Sequence, residues 1–309
     1  MRLLLLGCTG FVGRELVPAL LQAGHQLTLV SRRLARGYDT ERASGALTWL
    51  QLNPASPTSW QDGELLEALK QADGVVNLAG EPIAEKRWTP THLSLLEDSR
   101  LETTRLLVEA MAALPTPPGV LVNASAIGFY GTSATARFVE SSAAGTDFLA
   151  SLCQRWEAAA AAVPSGTRLV TVRIGIVLAA DGGALGKMLP VFRTGFGGPI
   201  GSGQQWMSWI HRSDLCALLQ QALENNAVSG VVNAVAPEPV SMAVFSKQLG
   251  RSLGRPSLLP VPGPVLQVLL GDGAKVVLEG QQVCSERLQT LGFSFRYPTV
   301  ASALDAATS

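Results

Sequence analysis

Cysteine and histidine are scarce in this sequence, and their positions exclude several classes of site. The four cysteines, Cys8, Cys153, Cys216 and Cys284, lie far apart and form no C-x-x-C pair. This spacing argues against a disulfide framework or a zinc site, and it predicts reduced thiols in a reducing compartment such as the cytoplasm. The three histidines, at positions 25, 92 and 211, show no ligand spacing, so we predict no metal.

Long hydrophobic runs and an excess of either charge are also absent. The 24 basic and 24 acidic side chains cancel, which leaves no electrostatic footprint for nucleic acid or an anionic membrane. No segment approaches the roughly 20 apolar residues of a membrane span. Residues 1–8 superficially resemble a lipoprotein signal, but their apolar run is shorter than the roughly 7–15 residues of a signal core. We predict a soluble cytoplasmic protein that binds neither nucleic acid nor membranes.

The first positive signal is a glycine-spaced turn near the start of the chain. Residues 3–6 are all leucine and predict a strand buried on both faces; an amphipathic stretch follows over residues 11–23. In such a turn one glycine permits the tight bend, the next lets backbone approach a pyrophosphate, and the last lets helix pack on strand. The N–H groups at the helix start then point at the anion. The predicted dinucleotide-binding turn comprises Gly7, Thr9, Gly10, Phe11, Val12 and Gly13.

The end of the second predicted strand indicates which dinucleotide is bound. Ser31, Arg32 and Arg33 follow the apolar residues 27–30. Sites for NAD usually place an acidic residue here, whereas sites for NADP place arginine near the 2′-phosphate. Guanidinium suits phosphate because its planar fork donates two parallel hydrogen bonds. The sequence therefore predicts NADP(H); a solvated basic turn, and a site for NAD or for no nucleotide, are the alternatives.

Strands and helices alternate along the chain, which predicts a parallel sheet with right-handed crossovers. Beyond residue 177, glycine-rich loops interrupt the pattern, and Asp214 is predicted to cap a helix that runs to about residue 225. We predict an α/β fold, a doubly wound parallel sheet with a smaller C-terminal substrate lobe. The predicted divisions are residues 1–180, 181–250 and 251–309.

Ligands of doubly wound sheets lie across the carboxyl ends of the strands. Leu78, Ala79 and Gly80 end a predicted strand, so we expect them to line a coenzyme crevice. Arg100 falls on or beside the buried stripe of a long helix over residues 91–113. A charge there needs a partner, and a coenzyme phosphate, a loop carbonyl or a structural salt bridge would each provide one.

Together these segments resemble a known family. The glycine spacing, the Asn-Leu-Ala-Gly at 77–80, the strand ending at Ser125 and the Tyr-Gly at 130–131 are similar to extended short-chain dehydrogenases/reductases of the sugar-nucleotide epimerase/dehydratase group. Further motifs at 86–88, 98–104, 197–203 and 206–211 resemble an atypical branch with its own C-terminal domain after about residue 250. The resemblance covers nearly the whole chain. It implies a Rossmann fold that binds NADP(H), and it identifies no substrate.

The resemblance also implies roles for particular residues. Ser125 matches the Ser/Thr that polarises the substrate in the wider superfamily. The family's coenzyme contacts would fall on the 7–13 turn, Ser31, Arg32, Leu78, Ala79, Arg100 and Val177.

The superfamily's catalytic pair is missing. Its base is a Tyr with Lys four residues later, because the ammonium and the positive nicotinamide lower the pKa of the phenol. Alignment through residues 156–157 places Leu149 and Cys153 where the pair should be. The three tyrosines are followed four residues later by other residue types: Tyr38 by Arg42, Tyr130 by Ala134 and Tyr297 by Ala301.

Other side chains must then supply the chemistry. Tyr130, just beyond Ser125, is the best-placed phenol, and Trp206 and Trp209 are candidates for an apolar wall over the substrate. The reserve acid/base candidates are Lys86, Glu140, Cys153 and His211.

Two functions of different classes remain open. The first is an NADP(H)-dependent oxidoreductase or epimerase with a non-standard acid/base, acting on a small molecule. The second is a non-catalytic protein that reports the NADP(H) state to a partner, a role that would suit relatives linked to bacterial or plastid division. The sequence leaves the oligomeric state open between monomer and homodimer.

Overall fold

The computed structural model describes residues 1–33, 38–61 and 63–308. Its strands are β1 (Arg2–Leu6), β2 (Gln26–Ser31), β3 (Leu47–Gln51), β4 (Gly74–Asn77), β5 (Val120–Ala126), β6 (Arg137–Phe138), β7 (Arg168–Ile174), β8 (Ile176–Leu178), β9 (Trp206–Met207), β10 (Trp209–His211), β11 (Gly230–Ala234), β12 (Val240–Ser241) and β13 (Gln282–Val283). Its α-helices are α1 (Gly13–Gln22), α2 (Asp39–Ala43), α3 (Glu64–Gln71), α4 (Pro90–Ala112), α5 (Phe148–Ala161), α6 (Gly183–Arg193), α7 (Arg212–Glu224), α8 (Met242–Ser252), α9 (Gly263–Leu270), α10 (Lys275–Leu278), α11 (Glu286–Thr290) and α12 (Val300–Thr308).

Seven strands form one parallel sheet in the order β11-β7-β5-β4-β1-β2-β3. The chain runs from β1 outward to β3, then returns to β4 and runs outward in the other direction to β11. The order therefore reverses between β1 and β4, whose residues Leu6 and Asn77 are paired. This confirms the predicted doubly wound α/β class and places the expected ligand crevice at the carboxyl ends of β1 and β4.

Helices cover both faces of this sheet, which explains the run of four leucines in β1. Leu3 and Leu5 pack into a core with α1 and α7, whereas Leu4 and Leu6 pack into a second core with α3 and α4. Successive residues of a strand point to opposite faces. A strand buried on both faces must therefore be apolar at every position.

A smaller lobe has its own core beyond the carboxyl end of the sheet. Leu189 of α6, Phe245 of α8 and Leu304 of α12 share one buried cluster with Trp209. Helix α12 thus joins the predicted divisions 181–250 and 251–309 in a single core. None of the helices in the described ranges combines the length and the apolar character needed to cross a bilayer.

Candidate functional site

The glycine turn after β1 is closed on its inner side and open on its outer side. Gly7 has a φ of +74°, and a Cβ atom there would lie 2.5 Å from the backbone nitrogen of Ala79. A Cβ atom on Gly13 would lie 1.7 Å from the carbonyl oxygen of Cys8, because α1 packs directly on the end of β1. A Cβ atom on exposed Gly10 would approach only the Gly7 oxygen, at 3.6 Å. The turn therefore presents backbone outward at Gly10, as a pyrophosphate contact requires.

An ion-pair cluster holds this turn in place. Arg212, at the start of α7, donates to Glu15 at 2.8 Å and to Asp181 at 2.6 Å. It also donates to the Phe11 carbonyl oxygen at 3.3 Å, and its guanidinium lies 4.9 Å from the Phe11 ring centre. Burial would raise the pKa of Asp181, but hydrogen bonds from Arg212 and Arg14 outweigh it and lower that pKa. Val12, the N-cap residue of α1, has no side-chain acceptor. The amides of Arg14 and Glu15 already donate to the carbonyl oxygens of Gly10 and Val12, so an anion here would take amides that precede Arg14.

The residues of the predicted phosphate-binding turn after β2 have two different roles: Ser31 is structural, and Arg32 is an exposed cation. Ser31 donates to the Arg33 carbonyl oxygen at 2.6 Å and accepts from the Trp49 indole at 2.9 Å, so its hydroxyl fixes the turn. The Arg32 side chain is 63% exposed, and its Nη2 lies 3.6 Å from Oε2 of Glu81. Arg32 is therefore available to a ligand at the cost of its ion pair with Glu81.

Glu81 is the acidic neighbour of this site. Its carboxylate is 11% exposed and also accepts a hydrogen bond from Lys86 at 3.0 Å. Burial would raise the pKa of Glu81, but Lys86 and Arg32 outweigh it and lower that pKa. Lys86, a reserve acid/base candidate, is thereby paired with Glu81.

The loop after β4 is fixed by buried amide side chains. Asn77 accepts from the Ala79 amide at 3.2 Å and donates to Asn123 at 2.7 Å and to Thr104 at 2.9 Å. These bonds connect β4, β5 and α4. They hold Leu78 and Ala79 directly against the glycine turn.

Arg100 lies beneath this loop. Its guanidinium donates to the carbonyl oxygens of Leu96 and Glu81, both at 3.0 Å, and lies 5.3 Å from the ring centre of Trp156. A Cβ atom on Gly80 would lie 2.9 Å from its Cζ. Burial lowers the pKa of Arg100. Of the three partners considered from sequence, a loop carbonyl, that of Glu81, is the one that it contacts; the Leu96 carbonyl belongs to α4 itself.

A cavity of about 690 Å³ opens at the switch point of the sheet. It brings together part of the predicted site: its lining includes Val12, Leu78, Ala79, Gly80, Arg100, Ser125 and Cys153. Val177 is not among the described lining residues, although Ile174, Gly175 and Ile176 before it are. The remaining predicted coenzyme contacts lie outside the lining: Gly7, Thr9, Gly10, Phe11, Gly13, Ser31, Arg32 and Arg33.

Ser125 connects this cavity to a buried ion pair. Its Oγ donates to Oε1 of Glu157 at 2.6 Å. Arg173 donates to the same carboxylate through Nε and Nη2, both at 2.8 Å. Burial would lower the pKa of Arg173, but its bonds to Glu157 and Tyr130 outweigh it and raise that pKa. Ser125 lines the cavity and Glu157 does not, so the serine hydroxyl lies between the cavity and the carboxylate.

The Tyr130 hydroxyl lies on the far side of Arg173. It accepts from Nη1 of Arg173 at 2.9 Å and donates to Asn233 at 2.7 Å, and its ring stacks on Phe138. Burial raises its pKa, and Tyr130 is absent from the described cavity lining. The structure therefore does not bring Tyr130 to the cavity beside Ser125.

Leu149 and Cys153 line the cavity at the positions where the resemblance places the catalytic pair. Burial, followed by the charge of Glu157, raises the pKa of Cys153 to about 11. The thiol is therefore neutral at pH 7. Neither side chain can perform the acid/base work of a phenol and an ammonium.

The other candidates from the sequence have structural contacts. His211 accepts the Ser213 amide at 3.2 Å as the N-cap of α7, and burial lowers its pKa. This corrects the prediction that Asp214 is the cap: Asp214 lies within the first turn and accepts the amides of residues 296 and 297. Glu140 accepts from the Asn233 amide and from Ser285.

The two tryptophans that were candidates for the substrate wall lie in different places. Trp206 lines the cavity, as expected for a wall. Trp209 is 1% exposed and belongs to the core of the smaller lobe. It therefore serves packing.

The C-terminal segment forms the roof of the cavity. Asp272, Lys275, Val276, Glu279 and Gln281 belong to the lining. A Cβ atom on Gly273 would lie 2.9 Å from the Trp88 ring, and one on Gly280 would lie 2.1 Å from the Trp206 carbonyl oxygen. The segment thus packs in close contact with two walls of the cavity.

Sequence reasoning missed two groups of residues. Arg173 left a signal, since it follows four buried or half-buried residues of β7 and a charge in such a strand requires a partner. Glu157 left a weaker one, because α5 also carries Arg155. Asp272, Lys275 and Glu279 left none, because their place follows from packing between distant segments.

Comparison with known proteins identifies the relatives of this chain. Residues 3–234 match the NAD dependent epimerase/dehydratase family, and residues 261–307 match a domain of unknown function, DUF1731. The chain is 42% identical to the chloroplastic epimerase family protein SDR39U1 homolog of Arabidopsis thaliana, over 97% of this chain and 84% of the relative. It is 41% identical to epimerase family protein SDR39U1 of Homo sapiens, over 98% of each.

A solved structure agrees with these matches. The crystal structure of human epimerase family protein SDR39U1 (isoform 2) with NADPH superposes with a TM-score of 0.89 at 39% identity, covering 100% of this chain and 99% of the human one. The fold is Rossmann-like, and this chain belongs to the NAD dependent epimerase/dehydratase family.

Proposed function

We propose that this protein binds NADP(H) and transfers a hydride between the coenzyme and a small substrate, as an oxidoreductase or an epimerase. The observation that carries the proposal is one cavity whose wall includes Leu78, Ala79 and Gly80 after β4 and Ser125 near the end of the adjacent strand β5. Hydride transfer requires the two reacting partners in contact within one enclosed space. This cavity provides such a space at the switch point.

The residues fit the coenzyme. Backbone at Gly10 and the amides that precede Arg14 would hold the pyrophosphate, with Thr9, Phe11 and Val12 completing the turn. Arg32 would bind the 2′-phosphate, because its exposed fork can donate two hydrogen bonds to it. The NADPH bound to the human relative supports this assignment.

The other residues predicted to contact the coenzyme support the residues that would bind it. Ser31 and Arg33 shape the turn that carries Arg32, Gly7 and Gly13 set the shape of the glycine turn, and Arg100 supports Gly80 from below. Val177 follows the residues 174–176 that line the cavity.

Ser125 and Glu157 would move the proton. When bound, the coenzyme accepts a hydride from a substrate carbon or supplies one to a carbonyl carbon. In the oxidative direction, the substrate hydroxyl gives its proton to Ser125 Oγ while Ser125 passes its own proton to Glu157. In the reductive direction, protonated Glu157 returns the proton through Ser125 to the carbonyl oxygen. Arg173 orients the carboxylate throughout, through its two hydrogen bonds.

This proposal keeps Ser125 from the sequence analysis and gives Tyr130 a positioning role. The Tyr130 hydroxyl is bonded to Arg173 and Asn233 behind the ion pair. It therefore acts on the reacting centre only through Arg173 and Glu157.

Substitution of Ser125 tests the proposal. Absorbance follows NADPH oxidation with a panel of aldehydes and ketones, and NADP⁺ reduction with a panel of alcohols and nucleotide sugars. NADPH binding is measured separately by calorimetry. Removing a proton-transfer group costs about 10²–10⁴-fold in rate, so we expect S125A and E157Q to lose kcat by that factor. We expect S125A to bind NADPH within about twofold of the unchanged protein, because Ser125 lies on the substrate side of the cavity.

The matched control is S94A, which removes an exposed serine of α4 and should keep full activity. Turnover by S125A equal to that of S94A would overturn the assignment of Ser125. If the protein without substitutions does not bind NADPH, the proposed coenzyme site is wrong.

NADP(H) sensing without chemistry is the second candidate function. It is favoured by the raised pKa of Cys153, about 11, and by the lack of a tyrosine among the described residues that line the cavity. Tight NADPH binding with no turnover on any panel member would select it. A partner retained on the immobilised protein with NADPH and released without it would then be expected.

A further inference from the structure

We propose that the substrate of this site is a small apolar, ring-bearing alcohol, aldehyde or ketone, and that nucleotide sugars are excluded. This inference rests on the proposed hydride transfer and adds the substrate class. It follows from three observations: the cavity wall is mostly apolar, most of its polar groups are hydrogen-bonded within the protein, and its roof carries more acidic than basic side chains.

The wall around Ser125 is apolar and aromatic. Three tryptophans, one phenylalanine and several aliphatic side chains line the cavity: Trp88, Trp156, Trp206, Phe148, Ile83, Leu93, Ile127, Leu149, Leu152 and Val276. Leucine at position 149 occupies the place where the resemblance puts the phenol. Such a surface binds ring and aliphatic groups through burial of apolar area.

The polar atoms of the tryptophans are bonded within the protein. The indole N–H of Trp88 donates to the Ile83 carbonyl oxygen, and that of Trp206 donates to the Ala134 carbonyl oxygen. The indole N–H of Trp156 donates to Thr104. The three rings therefore offer apolar surface to the cavity rather than hydrogen-bond donors for sugar hydroxyls.

Other polar lining groups are engaged in the same way. Thr132 donates to Glu279 at 2.8 Å, Ser208 donates to the Gln281 carbonyl oxygen at 2.9 Å, and Gln281 donates to the Ile127 carbonyl oxygen at 2.9 Å. Asp147 caps α5 by accepting the Ala150 amide. A sugar with several hydroxyls would leave most of them unpaired in such a site, which is costly.

The charges of the cavity oppose a diphosphate. Arg100 is committed to two carbonyl oxygens and a tryptophan ring. At the roof, Asp272 and Glu279 face the cavity together with Lys275, so carboxylates outnumber ammonium groups there. Like charges at short range disfavour the two phosphates of a nucleotide sugar.

We infer that the cavity recognises one oxygen atom of the substrate, the hydroxyl or carbonyl oxygen that reacts. Ser125 is the hydroxyl that connects the cavity to Glu157, and the surfaces around it are apolar. The coenzyme's reactive end must share the 690 Å³ cavity, so the ligand is smaller than the drug-sized molecules that fill such pockets alone.

Ligand binding to the NADPH complex tests this substrate class. The probes are 2-acetonaphthone, an apolar aryl ketone, and UDP-glucose, each titrated by calorimetry and by quenching of tryptophan fluorescence. We expect 2-acetonaphthone to bind at least about 100-fold more tightly than UDP-glucose. An amide placed in the wall by L149N should weaken ketone binding about tenfold or more and leave NADPH binding unchanged, since Leu149 lies on the substrate side.

The matched control is L95N, at an exposed leucine of α4, which should bind both ligands as the unchanged protein does. UDP-glucose binding as tight as the ketone, no ketone binding, or an L149N protein equal to L95N would each overturn the inference. The proposed function has separate readouts. Ketone binding without NADPH oxidation would remove the hydride transfer and keep the ligand class. Reduction of NADP⁺ by UDP-glucose, with no ketone binding, would keep the hydride transfer and remove the ligand class.

Discussion

At the scale of single residues, the proposed preference for NADP(H) depends on one exposed guanidinium. Arg32 stands at the end of β2, opposite the carboxylate of Glu81. Arg32 is 63% exposed, whereas the Glu81 carboxylate is 11% exposed and keeps its hydrogen bond from Lys86 when Arg32 moves away. Arg32 can therefore exchange Glu81 for a phosphate without leaving that carboxylate unpaired.

We expect R32A to weaken NADPH binding by about 10- to 100-fold and to leave NADH binding within about twofold. A hydrogen-bonded charge pair contributes about 1.5–3 kcal/mol, and each 1.4 kcal/mol or so is tenfold in affinity. NADH lacks the 2′-phosphate and loses no such contact. Calorimetry with both coenzymes measures the ratio, with R105A, an arginine on the surface of α4, as the control. Equal weakening of both coenzymes would refute the phosphate assignment.

The residue scale also shows what sequence reasoning can and cannot find. The position of the glycine turn after β1 and that of Arg32 after β2 were predictable because both follow from local sequence; their coenzyme contacts stay predictions. Tyr130 was misleading because its nearness to Ser125 in sequence says nothing of its direction. The short 3₁₀ segment Ile127–Tyr130 after β5 turns the phenol beneath the sheet edge, toward Asn233.

At the scale of elements, the strands were predictable and the helix starts less so. The apolar runs in β1, β5 and β7 reflect burial on two faces, which fixes composition at each position. The start of α7 depends instead on which side chain accepts a hydrogen bond from a backbone amide of the first turn and so caps the helix. His211 does so through Nδ1, whereas Asp214 is drawn away to residues 296 and 297.

This histidine cap predicts a pH dependence of stability. The cap requires an unprotonated Nδ1, and burial against the Tyr297 ring, 4.1 Å away, lowers the folded-state pKa of His211 below its ordinary 6.5. The unfolded chain therefore binds the proton more readily, so stability falls as pH drops through 6.5 and below. Loss of a cap costs about 1 kcal/mol.

Urea unfolding at pH 7 and pH 5 measures this contribution. Asparagine caps helices without titrating, so we expect H211N to lose about 1 kcal/mol less than the unchanged protein between the two pH values. The comparison removes the contribution of all other titrating groups. An identical loss in both proteins would contradict the role of His211 as a titrating cap.

At the scale of the whole molecule, the cavity is completed by the C-terminal domain. Its roof comes from residues 272–281, and its floor comes from the sheet and α5. Thr132 and Glu279 meet although they are 147 positions apart. Local patterns carry no information on such pairings, which is why the sequence predicted no residue of the roof.

Gly280 is the position at which this closure can be tested. A Cβ atom there would lie 2.1 Å from the Trp206 carbonyl oxygen, so G280A forces the roof away from the wall. Overpacking of this kind costs about 1–3 kcal/mol, and the opened cavity admits water to the Ser125 hydroxyl. We expect weakened 2-acetonaphthone binding and lost turnover. NADPH affinity should stay within about twofold, because no hydrogen bond or ion pair of the described residues joins the glycine turn or Arg32 to the roof.

G263A, where a new Cβ atom would meet Leu278 at an ordinary 3.4 Å, is the control from the same domain. If G280A binds the ketone as G263A does, the C-terminal domain is not the roof of the substrate site; if it loses NADPH as well, the two halves of the cavity are not separable.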